Sequence, residues 1–179
     1  MRFVLFPLLL AGMIFFMVPF SFSADKIPTQ IIVRVVSKDA KVIGSGVGGA
    51  LVRIKNLETG VILAQGKQEG GTGDTERIMV KPRQRGEPVY VTPESAFFQA
   101  EIPLSKPTQI EVYAEAPLGY PQSIQKGTKT LTLIPGKHIL GEGILIELHG
   151  LIVNILEPVS AVELLGGKKI KVKAEVWML

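Results

Sequence analysis

The stretch Gly44-Ser45-Gly46-Val47-Gly48-Gly49 spells G-x-G-x-x-G, the pattern with which a strand–turn–helix unit holds a dinucleotide pyrophosphate. That chemistry needs the glycines to end a strand and open a helix whose N-terminal amides face the phosphates. His138 and His149 are the only histidines; Glu147 and His149 lie two residues apart and so share a strand face, with Glu142 nearby in sequence. One histidine with a carboxylate does not close a metal site without a third ligand, and no residue marks one. The acid pairs Glu111/Glu115 and Glu142/Glu147 have the residue type that flanks a glycosidic bond in hydrolases. Alternating strand carboxylates more commonly face water. No G-x-S-x-G elbow presents a serine nucleophile. These residues predict no catalytic site, no metal and no cofactor.

The elements that would have to position such groups are strands. Ile31, Val33 and Val35 share one face of Gln30–Ser37, while Ile32, Arg34 and Val36 share the other. Ala50, Val52 and Ile54 alternate with Leu51, Arg53 and Lys55; Ile110, Val112 and Ala114 alternate with Glu111, Tyr113 and Glu115. Ile170, Val172, Ala174, Val176 and Met178 oppose Lys171, Lys173, Glu175, Trp177 and Leu179. Period two puts one face on a core and the other in water. Further strands are predicted at 61–66, 76–81, 89–92, 96–102, 129–134, 144–149 and 151–156. Turn signals separate them at Thr59-Gly60, Gly70-Gly71, Arg85-Gly86, Pro135-Gly136 and Gly166-Gly167. No window of 12 residues carries a helical apolar stripe, so the expectation is an all-β, antiparallel sandwich. The glycines of 44–49 then run straight into an alternating strand that is too short for a crossover helix. They predict a mobile loop or bulge between two strands.

Residues 1–23 read as a signal peptide. Arg2 precedes an apolar run from Phe3 to Phe20, and Ser21 and Ser23 have the spacing for cleavage after Ser23. A retained anchor helix is the alternative, because 18 apolar residues nearly span a bilayer. No cysteine follows the run, and the whole chain has none. An exported chain without disulfides relies on burial alone. Removing the leader takes Arg2 as its single charge, so the net charge falls from +4 to +3, a mild bias and no nucleic-acid signature. The basic cluster Lys81, Arg83 and Arg85 has no interleaved stacking aromatics. Six of the eight phenylalanines also leave with the leader. The remaining aromatics are too few for the girdles of an outer-membrane barrel, and no membrane span is expected after leader removal.

The stretch GGALVRIKNLETGVILAQGKQEGG, at residues 48–71, resembles strands two and three of carboxypeptidase-regulatory-like and transthyretin-like sandwiches. The resemblance rests on Gly49, Ala50, Val52, Ile54, Asn56, Thr59 and Gly60, followed by Thr72-Gly73-Asp74. Ile110–Tyr120 is similar to the late strand and Gly-Tyr loop of collagen-adhesin B-type repeats. The likeness spans residues 30–120 at most, and the insert at 81–95 departs from it. Residues 151–179 resemble the opening strands of a bacterial immunoglobulin-like domain. The division expected is 1–23 leader, 24–150 sandwich, and 151–179 a strand pair that completes the sandwich or pairs with a partner. The resemblance implies a non-catalytic module, secreted, periplasmic or at the cell surface, with a structural or protein-interaction role. A small-ligand or carbohydrate-binding module is the alternative, with Tyr113, Tyr120 and loop 117–127 as its surface. Trp177, Lys171 and Lys173 mark a possible interaction face, with self-assembly through an edge strand as one form. The adhesin likeness further implies a possible isopeptide bond between Lys38 and Asn154, assisted by Glu111 or Glu115.

Overall fold

Alternating segments extend because a strand can then bury one side and hydrate the other. In a computed structural model, which describes residues 25–38, 40–160 and 169–179, the described chain is all-β. Its strands are β1 (Ile27–Ser37), β2 (Ala50–Asn56), β3 (Ile62–Gln68), β4 (Phe98–Leu104), β5 (Thr108–Ala116), β6 (Gln125–Leu133), β7 (Ile139–Leu148), β8 (Leu151–Glu157) and β9 (Lys173–Met178). One sheet has the order β4-β1-β7, a second β3-β2-β5-β6, and β8 and β9 form a separate two-stranded sheet. The pairings are antiparallel except β1 with β7, which is parallel. No hairpin joins those two strands, since the rest of the two larger sheets lies between them in sequence.

The two larger sheets face each other across one core. Ile31, Val33 and Val35 of β1 and Ile144, Ile146 and Leu148 of β7 meet Val52 and Ile54 of β2 and Ile110, Val112 and Ala114 of β5. Burying such side chains is worth about 1.5–3 kcal/mol each, and the sequence holds no disulfide to add to it. At the sides, β3 lies against β4 and β6 against β7. No helix among the described residues is long and apolar enough to cross a membrane.

β1 is buried on both sides, which accounts for its nearly continuous apolar run. Its second face carries Arg34 and Val36, and residues 70–97 fold over it. There Val36, Val42, Ile78, Tyr90 and Ala96 form a smaller core. This cover corrects two predicted strands. Residues 76–81 fall largely in a short helix, α1 (Thr75–Met79), because Asp74 caps it by accepting a hydrogen bond from the Arg77 amide at 3.0 Å. Residues 89–92 form no strand, because the Glu142 carboxylate takes the Val89 and Tyr90 amides that a ladder would use.

Candidate interaction surface

β8 and β9 make a ribbon with two unlike faces. The register sets Leu151 opposite Met178, Val153 opposite Val176 and Ile155 opposite Ala174. Directly opposed residues share a face, so these six apolar side chains stand together. Their face is exposed: Leu151 is 55% accessible, Val153 46%, Ile155 61%, Val176 58% and Met178 58%. The other face meets the sandwich at one end only. Ile152 and Leu179 are buried in the main core, the Leu179 amide donates to the Gly150 carbonyl at 2.8 Å, and Trp177 lies 5.9 Å from the Tyr120 ring. These contacts anchor the proximal end of the ribbon. The distal end carries Val159, Lys169, Lys171 and Val172, all exposed. A two-stranded ribbon alone is marginally stable in water, so the anchoring face supplies what the open face lacks.

Sequence reasoning singles out the face of Trp177; the structure sets Trp177 beside Tyr120 with 41% of it still accessible, and Lys173 and Glu175 on that face are exposed. The outward face was legible as alternation of Ala174, Val176 and Met178 and as the apolar run Leu151–Leu156. What was missing was the pairing of those strands with each other. Lys171 lies before β9, Lys173 is its first residue, and both are exposed. The Gly166-Gly167 turn and the leader lie outside the described residues.

Tyr113 occupies a different surface from Tyr120. It stands on the outer face of the four-stranded sheet, where its hydroxyl donates to Glu115 at 2.6 Å and the Arg53 guanidinium lies 5.5 Å from its ring centre. Desolvation, the Glu115 hydrogen bond and the Glu115 charge raise its pKa above the ordinary value, and Arg53 opposes them. Lys55 pairs with Glu111 at 2.8 Å on the same face. Arg53, Lys55, Gly60, Ile62, Glu111 and Tyr113 line a hollow of about 340 Å³.

Several of the other chemistry-bearing residues have structural partners. Gly44–Gly49 opens strand β2 and no helix; a short 3-10 turn at Ser45–Val47 is followed by Gly48 and Gly49 at φ 90° and 72°. That loop is stitched in place: the Gly119 amide donates to Val47 at 2.9 Å and the Ser45 amide to Gly70 at 2.8 Å. A Cβ on Gly48 would sit 2.1 Å from the Gly119 nitrogen, so close backbone approach explains this glycine. Glu142 holds the cover over β1, and Arg34, 4% exposed, donates to the Gly141 and Glu142 carbonyls while lying over the Phe97 ring. Burial lowers the Arg34 pKa, and Glu142 acts in the opposite sense. His138 accepts the Gln30 amide at 3.0 Å through Nδ1. Among the described residues no three His, Cys, Asp or Glu side chains cluster as a metal site would require.

The four residues proposed for an isopeptide bond do not form the buried constellation that reaction needs. Lys38 is exposed, Asn154 is half-buried opposite Glu175 in the ribbon, Glu111 is paired with Lys55, and Glu115 holds the Tyr113 hydroxyl. Sequence reasoning also missed Gln68. Its buried amide accepts from the Val35 amide at 2.7 Å and donates to the Val35 and Ile43 carbonyls, both at 2.9 Å, joining β3 to the first sheet. Compared with family models, curated proteins and solved structures, the chain has no significant match in any of the three.

Proposed function

We propose that the protein is an exported, non-catalytic β-sandwich of transthyretin-like or carboxypeptidase-regulatory-like type, serving a structural or protein-interaction role in a cell-envelope or extracellular assembly. The apolar outer face of the β8–β9 ribbon carries this reading. Monomeric surfaces rarely leave apolar patches beyond a few hundred Å² uncovered, and larger ones mark contact sites. The leader-like residues 1–23 support export to the compartment where such assemblies stand. In an exported fraction, the mature chain is expected to co-fractionate with its assembly. Replacing Val153 by Lys and Val176 by Glu puts opposite charges across the ribbon, which keeps the strand pair while making the face polar. Release of this variant from the assembly is expected, with an unchanged circular dichroism spectrum. Co-fractionation equal to the natural chain would overturn it.

A second reading draws on the Tyr113 surface. A tyrosine ring flanked by Arg53, Lys55 and Glu111 in an open hollow offers stacking and polar edges to a small ligand or sugar. Glycan binding lost in Tyr113→Ala, with the ribbon variant still binding, would favour this reading over the first.

A further inference from the structure

The ribbon presents an exposed sheet face that no described residue covers, and its chemistry restricts the occupant. All six side chains are apolar: Leu151, Val153 and Ile155 on β8, Ala174, Val176 and Met178 on β9. A partner bringing charges or unpaired polar groups would bury them without compensation. An apolar sheet face is best covered by another at the roughly 10 Å spacing of stacked sheets. Taking the proposed interaction role as the starting point, we infer that the occupant is a second copy of this chain, whose ribbon stacks face to face on the first about a two-fold axis.

Three observations carry the inference. The first is area. With five of the six side chains between 46% and 61% accessible, the face offers roughly 500 Å² per copy, so a stacked pair buries about 1,000 Å², the threshold for a specific but weak dimer. The second is self-complementarity. A two-fold interface uses one patch twice, and this patch carries no charge that would meet its own copy. The third is where the charges lie. Lys169, Lys171 and Lys173 are exposed at the distal end, remote from the anchored end at Leu151 and Leu179. An antiparallel stack places the two cationic ends at opposite extremes, where salt screens them from each other beyond about 10 Å.

The test is sedimentation velocity of the mature chain over a concentration series reaching about 100 µM, above the micromolar Kd that an interface of this size commonly supports. Concentration-dependent dimer is expected, with Val153→Lys/Val176→Glu weakening it at least tenfold. Trp177 is the only tryptophan and lies on the anchored face, so its unchanged emission shows that the variant ribbon still forms. The natural sequence has no cysteine, which allows an independent measurement. A single Val153→Cys should be captured as a dimer by a bismaleimide of about 10 Å reach, matching the sheet spacing. Thr130→Cys, on the outer face of the four-stranded sheet, should not be captured. A chain monomeric throughout the series, equal capture at both positions, or a monomer that floats with anionic vesicles would overturn the second copy as occupant. None of those results restores the assembly contact of the ribbon variant, so the co-fractionation experiment judges the broader reading separately.

Discussion

Replacing Gln68 by methionine keeps the length and approximate volume of the side chain and removes its amide. In the natural chain the Gln68 carbonyl accepts from the Val35 amide at 2.7 Å, and its NH2 donates to Val35 and Ile43 carbonyls, both at 2.9 Å. The Val35 carbonyl keeps a second donor, the Ile43 amide at 3.0 Å. The substitution therefore leaves two main-chain groups, the Val35 amide and the Ile43 carbonyl, without these partners in an environment where Gln68 and Val35 are 0% exposed. Each such group costs about 1–3 kcal/mol, and the thioether recovers part of it by apolar burial. The expected net loss is about 3 kcal/mol, a large share of the 5–15 kcal/mol of a typical domain. For a domain of this size that lowers Tm by roughly 6–12 °C. Thermal unfolding and urea titration of the mature chain measure it, and an unchanged m-value shows that the folded state is intact. A loss below about 1 kcal/mol would mean that water or backbone relaxation replaces the amide, and that these bonds do not hold β3 to the first sheet.

Glu142→Ala removes the acceptor of the Val89 and Tyr90 amides, and a loss of about 2–4 kcal/mol is expected from two charge-assisted bonds. Hydrogen exchange should show those two amides losing protection before the strands do. Tyr113, with its folded pKa raised, contributes stability at neutral pH that is lost as pH climbs from the ordinary tyrosine value through the raised one. A phenolate absorbance titration, taken as the difference from Tyr113→Phe, should give a midpoint above 10, and Glu115→Gln should bring it part of the way down. Tyr120→Ala should red-shift Trp177 emission and raise its quenching by acrylamide, because the Tyr120 ring, 5.9 Å away, shields one side of an indole that is 41% accessible.

β2 was legible to the residue, and β5 nearly so, because each buries one face and wets the other, which is the case period two describes. β1 was legible as a strand, but the reason for its two apolar faces lay in residues 70–97. Those residues were the least legible. Val89-Tyr90-Val91 has strand composition, yet a carboxylate some fifty residues away binds its amides. Asp74, Glu76 and Pro82 around Ile78 held the local signal for α1, which is too short for helical periodicity to register. The parallel pairing of β1 with β7 depends on contacts more than a hundred residues apart, to which local patterning is blind. In the ribbon, alternation placed every side chain on one of two faces, but only the docking of Ile152 and Trp177 decides which face is open. The Tyr113 surface is partly legible: period two puts Tyr113 on one face of β5 with Glu111 and Glu115, while Arg53 joins it only through the β2–β5 register.

Whether the open ribbon face is a contact surface in the assembled state is tested inside intact cells at natural expression by a photo-activatable side chain at position 176, compared with one at position 130 on the outer face of the four-stranded sheet. A discrete adduct is expected from position 176, with a second copy or another protein, and none from position 130. Adducts from 130 alone, or silence from 176 in a folded and exported chain, would contradict it.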